Sequence, residues 1–112
     1  MDTARALTKY VRISPRKARL AAGLIRGMSA PEALLQLNVS PLKGARLLRK
    51  TLHSAVANAE QRLGLSPEAL EVLEVWVDEG PTLKRSKPKN RGGRHPILKR
   101  TSHFTVIVAE KE

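Results

Sequence analysis

The sequence predicts an α+β fold: three helices packed on a small antiparallel sheet of about three strands, with a long extended β-hairpin, all in one domain over residues 1–112. Three observations predict it. Apolar residues recur at helical spacing through three segments before Gly64, and apolar alternation of period two marks strands after it. Between the last two strands lie the 20 residues Pro81 to Arg100, against the two to five of an ordinary hairpin loop. A chain of 112 residues carries one core.

The run "ALTKYVRI", Ala6 to Ile13, is rich in β-branched and aromatic residues and reads as a short first strand without clean alternation. Ser14 then caps a helix with Pro15 at its first position, where a missing N–H costs nothing. At about 100° per residue, Leu20, Ala21, Ala22, Leu24, Ile25 and Met28 share a broad apolar face, with Arg16, Arg19 and Arg26 opposite. On that reading Arg16 and Arg19 do little for folding. Gly27 stops the helix, and "SAPEALLQL" restarts it with Ser29 as cap and Glu32 at the capping-box spacing. A longer helix follows, with Ser40 as cap, Pro41 at the first position and Gly64 at the end. Its face of Ala45, Leu48, Leu52, Ala55, Val56, Ala59 and Leu63 lies opposite Lys43, Arg46, Arg49, Lys50 and His53. Leu73, Val75 and Val77 alternate on one side of the next strand and Phe104, Val106 and Val108 on one side of the last, and these two strands should pair antiparallel.

Charge narrows the function. Lys plus Arg outnumber Asp plus Glu by 21 to 10, so the formal charge is +11 and an acidic partner is expected. Arg5 to Arg26 holds seven bases and no acid; Glu68 to Glu79 holds five acids and no base. The stretch "PTLKRSKPKNRGGRHPILKR", about 81–100, then holds eight bases, three prolines and no acid. If its flanking strands continue into a ribbon turning near Asn90 to Gly93, each arm of about ten residues reaches roughly 30 Å. So cationic a ribbon needs a surrounding polyanion to order it. Nucleic acid fits better than a membrane, because no apolar run approaches the roughly 18 residues of a spanning helix. The first residues do not read as a secretory signal, and the lack of cysteine fits a reducing compartment, so a cytoplasmic place is expected.

Three basic clusters are therefore candidate contacts with nucleic acid: Arg12, Arg16, Lys17, Arg19 and Arg26; then Lys43, Arg46 and Lys50; then Lys84, Arg85, Lys87, Lys89, Arg91, Arg94, Lys99 and Arg100. Only Tyr10, Trp76 and Phe104 are aromatic, so charge and shape rather than base stacking should carry binding. A basic helix-turn-helix-like DNA-binding protein is the alternative, but the third helix opens "PLKGARLLRK", without the Asn, Gln or Ser that read base edges. An enzyme is disfavoured. Ser54 beside His53 and Ser102 beside His103 have the right atoms but no framing motif, and His53, His95 and His103 lack the spacing of a metal site. Asp78 and Glu79 point to opposite faces of a strand, and pairing with Lys84 or Arg85 is their expected role. No cofactor is expected.

The motifs "SPRKARL…LIRG", "SAVANAE", "VDEGPTLKR" and "LKRTSHFTVIV" occur in the order and spacing of the family of large-subunit ribosomal protein twenty-two, which the whole chain resembles. The resemblance implies a structural constituent of the large ribosomal subunit that binds large-subunit rRNA and supports its assembly. Its hairpin would line the nascent-peptide exit tunnel. Implied partners are that rRNA, neighbouring large-subunit proteins and the nascent peptide, with no membrane and no homo-oligomer. By position, Arg16, Lys17, Arg19 and Arg26 resemble rRNA contacts, Ser54, Ala57 and Asn58 occupy a small-residue helix motif, and Lys84, Arg85, Lys99 and Arg100 match the hairpin arms. Lys89, Asn90, Arg91, Gly92, Gly93 and Arg94 would form the tunnel-lining tip, where "PKNRGGRHP" departs from a more usual Pro-Arg-Ala-x-Gly-Arg. The compact length resembles bacterial or organellar members.

Overall fold

The computed structural model describes residues 3–88 and 94–111, with side chains over 3–82 and 98–111. Its elements are β1 (Thr3–Val11), α1 (Pro15–Ile25), α2 (Ala30–Val39), α3 (Lys43–Leu63), a 3-10 turn (Pro67–Ala69), β2 (Leu70–Glu79), β3 (Leu83–Pro88), β4 (Arg94–Lys99) and β5 (Ser102–Glu110). β5 lies between β1 and β2 and is antiparallel to both, while β3 and β4 pair as a separate antiparallel ribbon. The helices pack on one face of the three-stranded sheet, around Phe104, Val106 and Val108 of β5. The expected α+β class is the observed one.

Helix α1 starts where expected. Ser14 is its N-cap, and the hydroxyl accepts from the Lys17 N–H at 3.4 Å. Its buried face, however, is Pro15, Ala18, Ala21, Ala22 and Ile25, and Leu20 is 63 % exposed. Small residues were selected over large ones because α3 comes very close: a Cβ on Gly44 would lie 3.2 Å from Ile13 Cδ1 and 3.4 Å from Ala21 Cβ. A leucine could not enter that contact. Two other expectations at helix starts also change. Ser29 is the N-cap of α2 but makes no side-chain cap hydrogen bond, so the capping box does not form. α3 begins at Lys43 with Leu42 as N-cap; Ser40 closes α2 instead, its hydroxyl accepting from the Leu42 N–H at 3.3 Å. Gly64 ends α3 in the left-handed conformation, as expected. The apolar stripe of α3 from Ala45 to Ala59 is buried, and Asn58 Nδ2 donates to the Arg5 carbonyl of β1 at 2.9 Å.

The alternation in β2 is broken by a bulge. Val72 faces Val108 and Glu74 faces Ile107, so Leu73 is an extra residue and ends 40 % exposed. The inward set is therefore Leu70, Val72, Val75 and Val77, rather than Leu73, Val75 and Val77. β1 is also irregular, between Thr8 and Val11, where Tyr10 takes φ 58°. The Tyr10 N–H, displaced from the ladder, is taken by His103 Nδ1 at 3.1 Å, and the two rings meet edge to face at 5.0 Å. His103 is thus a structural acceptor through its Nδ1.

One edge of the sheet needs special treatment, because β2 has a partner on one side only and exposed strand edges invite unwanted pairing. The chain leaving α1 closes it. Gly27 N–H donates to the Val72 carbonyl at 3.1 Å and Val72 N–H to the Met28 carbonyl at 2.8 Å. Further along, Arg26 donates to the Val75 carbonyl at 2.8 Å and Arg19 to the Val77 carbonyl at 3.0 Å. Arg19 is therefore a fold contact as well as a surface cation, which corrects the expectation that it does little for folding.

At the far end of β2 and β5 the three residues Gly80–Thr82 lie opposite the two residues Arg100–Thr101, since Glu79 faces Ser102 and Leu83 faces Lys99. Thr101 Oγ1 donates to the Pro81 carbonyl at 2.6 Å and would lie 2.5 Å from a Cβ on Gly80, so only glycine fits. Beyond this offset β3 and β4 are described over six residues each, and the expected turn near Asn90 to Gly93 lies outside the described residues. With principal extents of 63 × 24 × 16 Å, the protein is elongated.

Removing a cation that completes the β2 edge should destabilise the fold. Arg19→Ala and Arg26→Ala are each expected to lower unfolding free energy by about 1–2 kcal/mol, since the freed carbonyl is only partly rehydrated. Arg16→Ala, at an exposed position, should stay within about 0.5 kcal/mol. Urea denaturation of the purified protein measures all three, and equal stability of the set would remove the edge-closing role.

Candidate nucleic-acid interface

Three cationic segments far apart in sequence meet in space because the starts of α1 and α3 and the base of the β3–β4 ribbon lie at the same end of the domain. Arg12, Ser14 and Lys17 from the first, Lys43 from the second, and Leu98, Lys99 and Arg100 from the third line one cleft of about 480 Å³. Five of its lining residues are cations and none is an acid. Ile13 forms its floor and is itself buried, held by the Ser102 hydroxyl, which donates to the Ile13 carbonyl at 2.7 Å. That bond uses up Ser102, which is fully buried and is no nucleophile.

Two neighbouring clefts extend the surface. Arg16, Arg19 and Arg100 line one of about 400 Å³ beside Glu79, and Arg100 is common to it and the first. Lys43, Arg46, Arg49 and Lys50 line another of about 470 Å³ between α2 and α3, and Lys43 is the shared residue there. Arg49 donates from its Nη1 to Asn38 Oδ1, so it ties α3 to the end of α2 while facing the same cleft. The result is a continuous cationic surface. Both helix starts add to it: neither α1 nor α3 has an acid in its first turn, so the partial positive charge of the free backbone N–H groups is left for an external anion.

The placement of the expected residues follows from this. Arg12, Arg16, Lys17, Arg19, Lys43, Arg46, Lys50, Lys99 and Arg100 come together on one surface. Arg26 does not; it sits at the other end of α1, about 16 Å away along an 11-residue helix, and its guanidinium faces β2. Lys84, Arg85 and Lys87 lie on β3 and Arg94 on β4 in register with it, where only the backbone is described. The expected pairing of Asp78 or Glu79 with Lys84 or Arg85 thus falls outside the described side chains. The tip residues Lys89, Asn90, Arg91, Gly92 and Gly93 lie outside the described residues. Arg49 was missed as a contact, although its i+3 spacing from Arg46 places it beside the same stripe. Of the small-residue motif, Ser54 Oγ donates to the Lys50 carbonyl at 3.2 Å and Asn58 joins α3 to β1, so both serve the fold.

A surface of this kind has the charge and the openness to hold phosphates. Side-chain cations on three rigid supports can track a backbone without reading bases, and the clefts are open and polar rather than enclosed. No helix is long and apolar enough to cross a membrane among the described residues.

Comparison with known proteins finds a matching family model and similar relatives. The family model described as ribosomal protein L22p/L17e matches residues 6–109. A relative from Protochlamydia amoebophila (strain UWE25), named large ribosomal subunit protein uL22, is 72 % identical over 109 residues, covering 97 % of this chain and 98 % of its own. Relatives of the same name from Chlamydia pneumoniae and Chlamydia trachomatis serovar L2 are 61 % and 58 % identical over 108 and 107 residues, each covering 96 % of this chain. The matches cover 97 % and 96 % of the relatives' own lengths.

If the shared cleft holds phosphates, replacing Lys17, Lys43 and Lys99 together by Ala should cut affinity for a structured RNA and lower the slope of log K against log salt by about 2 to 3. The melting temperature should not move, because all three are exposed. Lys111→Ala, at the other end of β5, is the matched control and should leave the slope unchanged. Salt titrations of RNA binding decide it; an unaltered slope in the triple variant removes the cleft from the interface.

Proposed function

Because the chain belongs to the ribosomal protein L22p/L17e family and is thereby a structural constituent of the large ribosomal subunit rather than an enzyme, we propose that it binds large-subunit rRNA through the cationic surface at the base of its hairpin. We further propose that the hairpin lines the nascent-peptide exit tunnel and that the protein supports subunit assembly. The observation that carries this reading is the meeting of Arg12, Lys17, Lys43, Lys99 and Arg100 around one cleft with no acid in it. Its place as a large-subunit protein is the cytoplasmic ribosome.

The mechanism follows from charge and rigidity. Folding positions the cations of α1, α3 and the end of β4 before RNA arrives, so binding orders only side chains there and the cost in chain entropy is small. The ribbon is different. β3 and β4 are joined to the body by the Gly80–Thr82 and Arg100–Thr101 offset, and β3 and β4 alone are a two-stranded hairpin, which in water is marginal without a surface to lie on. Packing among rRNA phosphates supplies that surface. The cleft therefore anchors the domain, and the ribbon runs from its rim into the RNA. Assembly support follows, since one protein touching RNA at its body and along its ribbon holds separate RNA segments together.

A helix-turn-helix reading of duplex DNA finds no specific support, because the exposed residues at the start of α3 are Lys43, Arg46 and Lys50, with no Asn or Gln among them. Chemical footprinting of large-subunit rRNA tests the binding reading: protection of folded rRNA over duplex DNA of equal length is expected, and equal protection of both would reverse it.

The tunnel reading has its own test. Replacing residues 86–96 by Asn-Gly closes the Arg85–Ile97 pair with a two-residue turn. The shortened protein should enter subunits at a level within about twofold of the full chain, because the cleft is intact. Nascent-chain pausing on those ribosomes should change. Full occupancy with an unchanged pausing profile would separate the hairpin from the tunnel.

A further inference from the structure

The sheet has a second face, and no helix covers it among the described residues. Strand registry puts Leu7, Thr105 and Trp76 in one row across β1, β5 and β2, and Arg5, Ile107 and Glu74 in the next. Leu7 is 54 % exposed and Trp76 53 %, so the centre of this face is an apolar band in water. Its edges differ in sign. On β2, Glu71, Glu74 and Asp78 stand on the same face as Trp76, whereas Arg5 and Lys9 occupy the β1 edge. Three of the five acids from Glu68 to Glu79 therefore share the face of the only tryptophan, while Glu79 turns to the other face and borders a cationic cleft.

We propose that this face docks an Arg- or Lys-rich segment of another protein, with its cations over β2 and its apolar side chains on the Leu7–Thr105–Trp76 row. The inference rests on the ribosomal reading and specifies which surface meets a protein rather than RNA. Charge decides between those occupants. A phosphate backbone laid across β2 would meet three carboxylates at short range, with repulsion that salt screens only partly at contact. A guanidinium meets the opposite situation. It stacks over the indole of Trp76, and Glu74 and Asp78, each two residues away along the strand, lie about 7 Å to either side to receive its N–H groups. The band between them buries the apolar part of the segment, as the centre of a protein interface does. The cationic surface on α1 and α3 and the acidic sheet face thus divide the domain into an RNA side and a protein side.

Assembled large subunits carrying the photoreactive residue p-benzoylphenylalanine in place of Trp76, and in a second preparation in place of Arg46, test this directly. At position 76 the expected crosslink is to a peptide of another protein that is net cationic by mass spectrometry; at position 46 it is to rRNA. In the Trp76-replaced protein, adding Glu74→Lys with Asp78→Lys should cut the protein crosslink by at least about fivefold while subunit occupancy holds. A crosslink from position 76 to rRNA, to a neutral or acidic peptide or to a second copy of this chain overturns the proposal, as does no crosslink or one that charge reversal leaves unchanged. Loss of the rRNA crosslink at position 46 would instead count against the ribosomal reading, so the two failures are told apart.

Discussion

The outer edge of β2 is the constraint on which the rest of the architecture depends. An edge strand must either be covered or be made unattractive to other strands, and here the covering comes from the segment that ends α1. Val72 gives both backbone groups to Gly27 and Met28, and Val75 and Val77 give their carbonyls to Arg26 and Arg19. These contacts fix α1 along its length against the sheet. With α1 fixed, Gly44 sets the approach of α3 through its contacts with Ile13, Ala18 and Ala21. The starts of both helices then lie at the base of the ribbon, which is where the cations gather.

The same geometry divides the arginines by task. Arg16 lies on the solvent side of α1, whereas Arg26 is committed to the sheet and Arg19 does both, lining a cleft and closing β2 with Nη2. Arginine suits this dual position because its planar fork carries five donors, of which one carbonyl uses only one. Burial is not required for such a role, only reach and direction.

Domain charge is organised by face rather than by average. In a chain of net charge +11, Glu71, Glu74 and Asp78 lie on the outer face of β2, away from the cationic cleft at the helix starts, while Glu79 borders the neighbouring cleft of Arg16, Arg19 and Arg100. The exposed apolar band between the charged edges sets that face apart from ordinary solvated surface. Folding thus turns a charge order along the chain into a charge order in space.

By itself the sequence determined the class of fold, the three helices and the stop of the last at Gly64, the antiparallel pairing of β2 with β5, the inward set of β5 and the clustering of the cations. Each is set by local propensity or by a short period, which side-chain chemistry fixes within a few residues. The family was legible as well, in motifs that span the chain. Tertiary structure alone decided which face of α1 is buried, because Gly44 admits alanine but not Leu20 at that contact. It decided the phase of β2, because the bulge at Leu73 inverts everything before it relative to a simple alternation. It separated Arg26 from the other cations and joined Arg12, Lys17, Lys43, Lys99 and Arg100, since residues up to 88 positions apart become neighbours only when the sheet and the helices are packed. Periodicity encodes which side of an element faces inward; it carries no information on how close two elements come or on where their ends meet, and those distances fix the site.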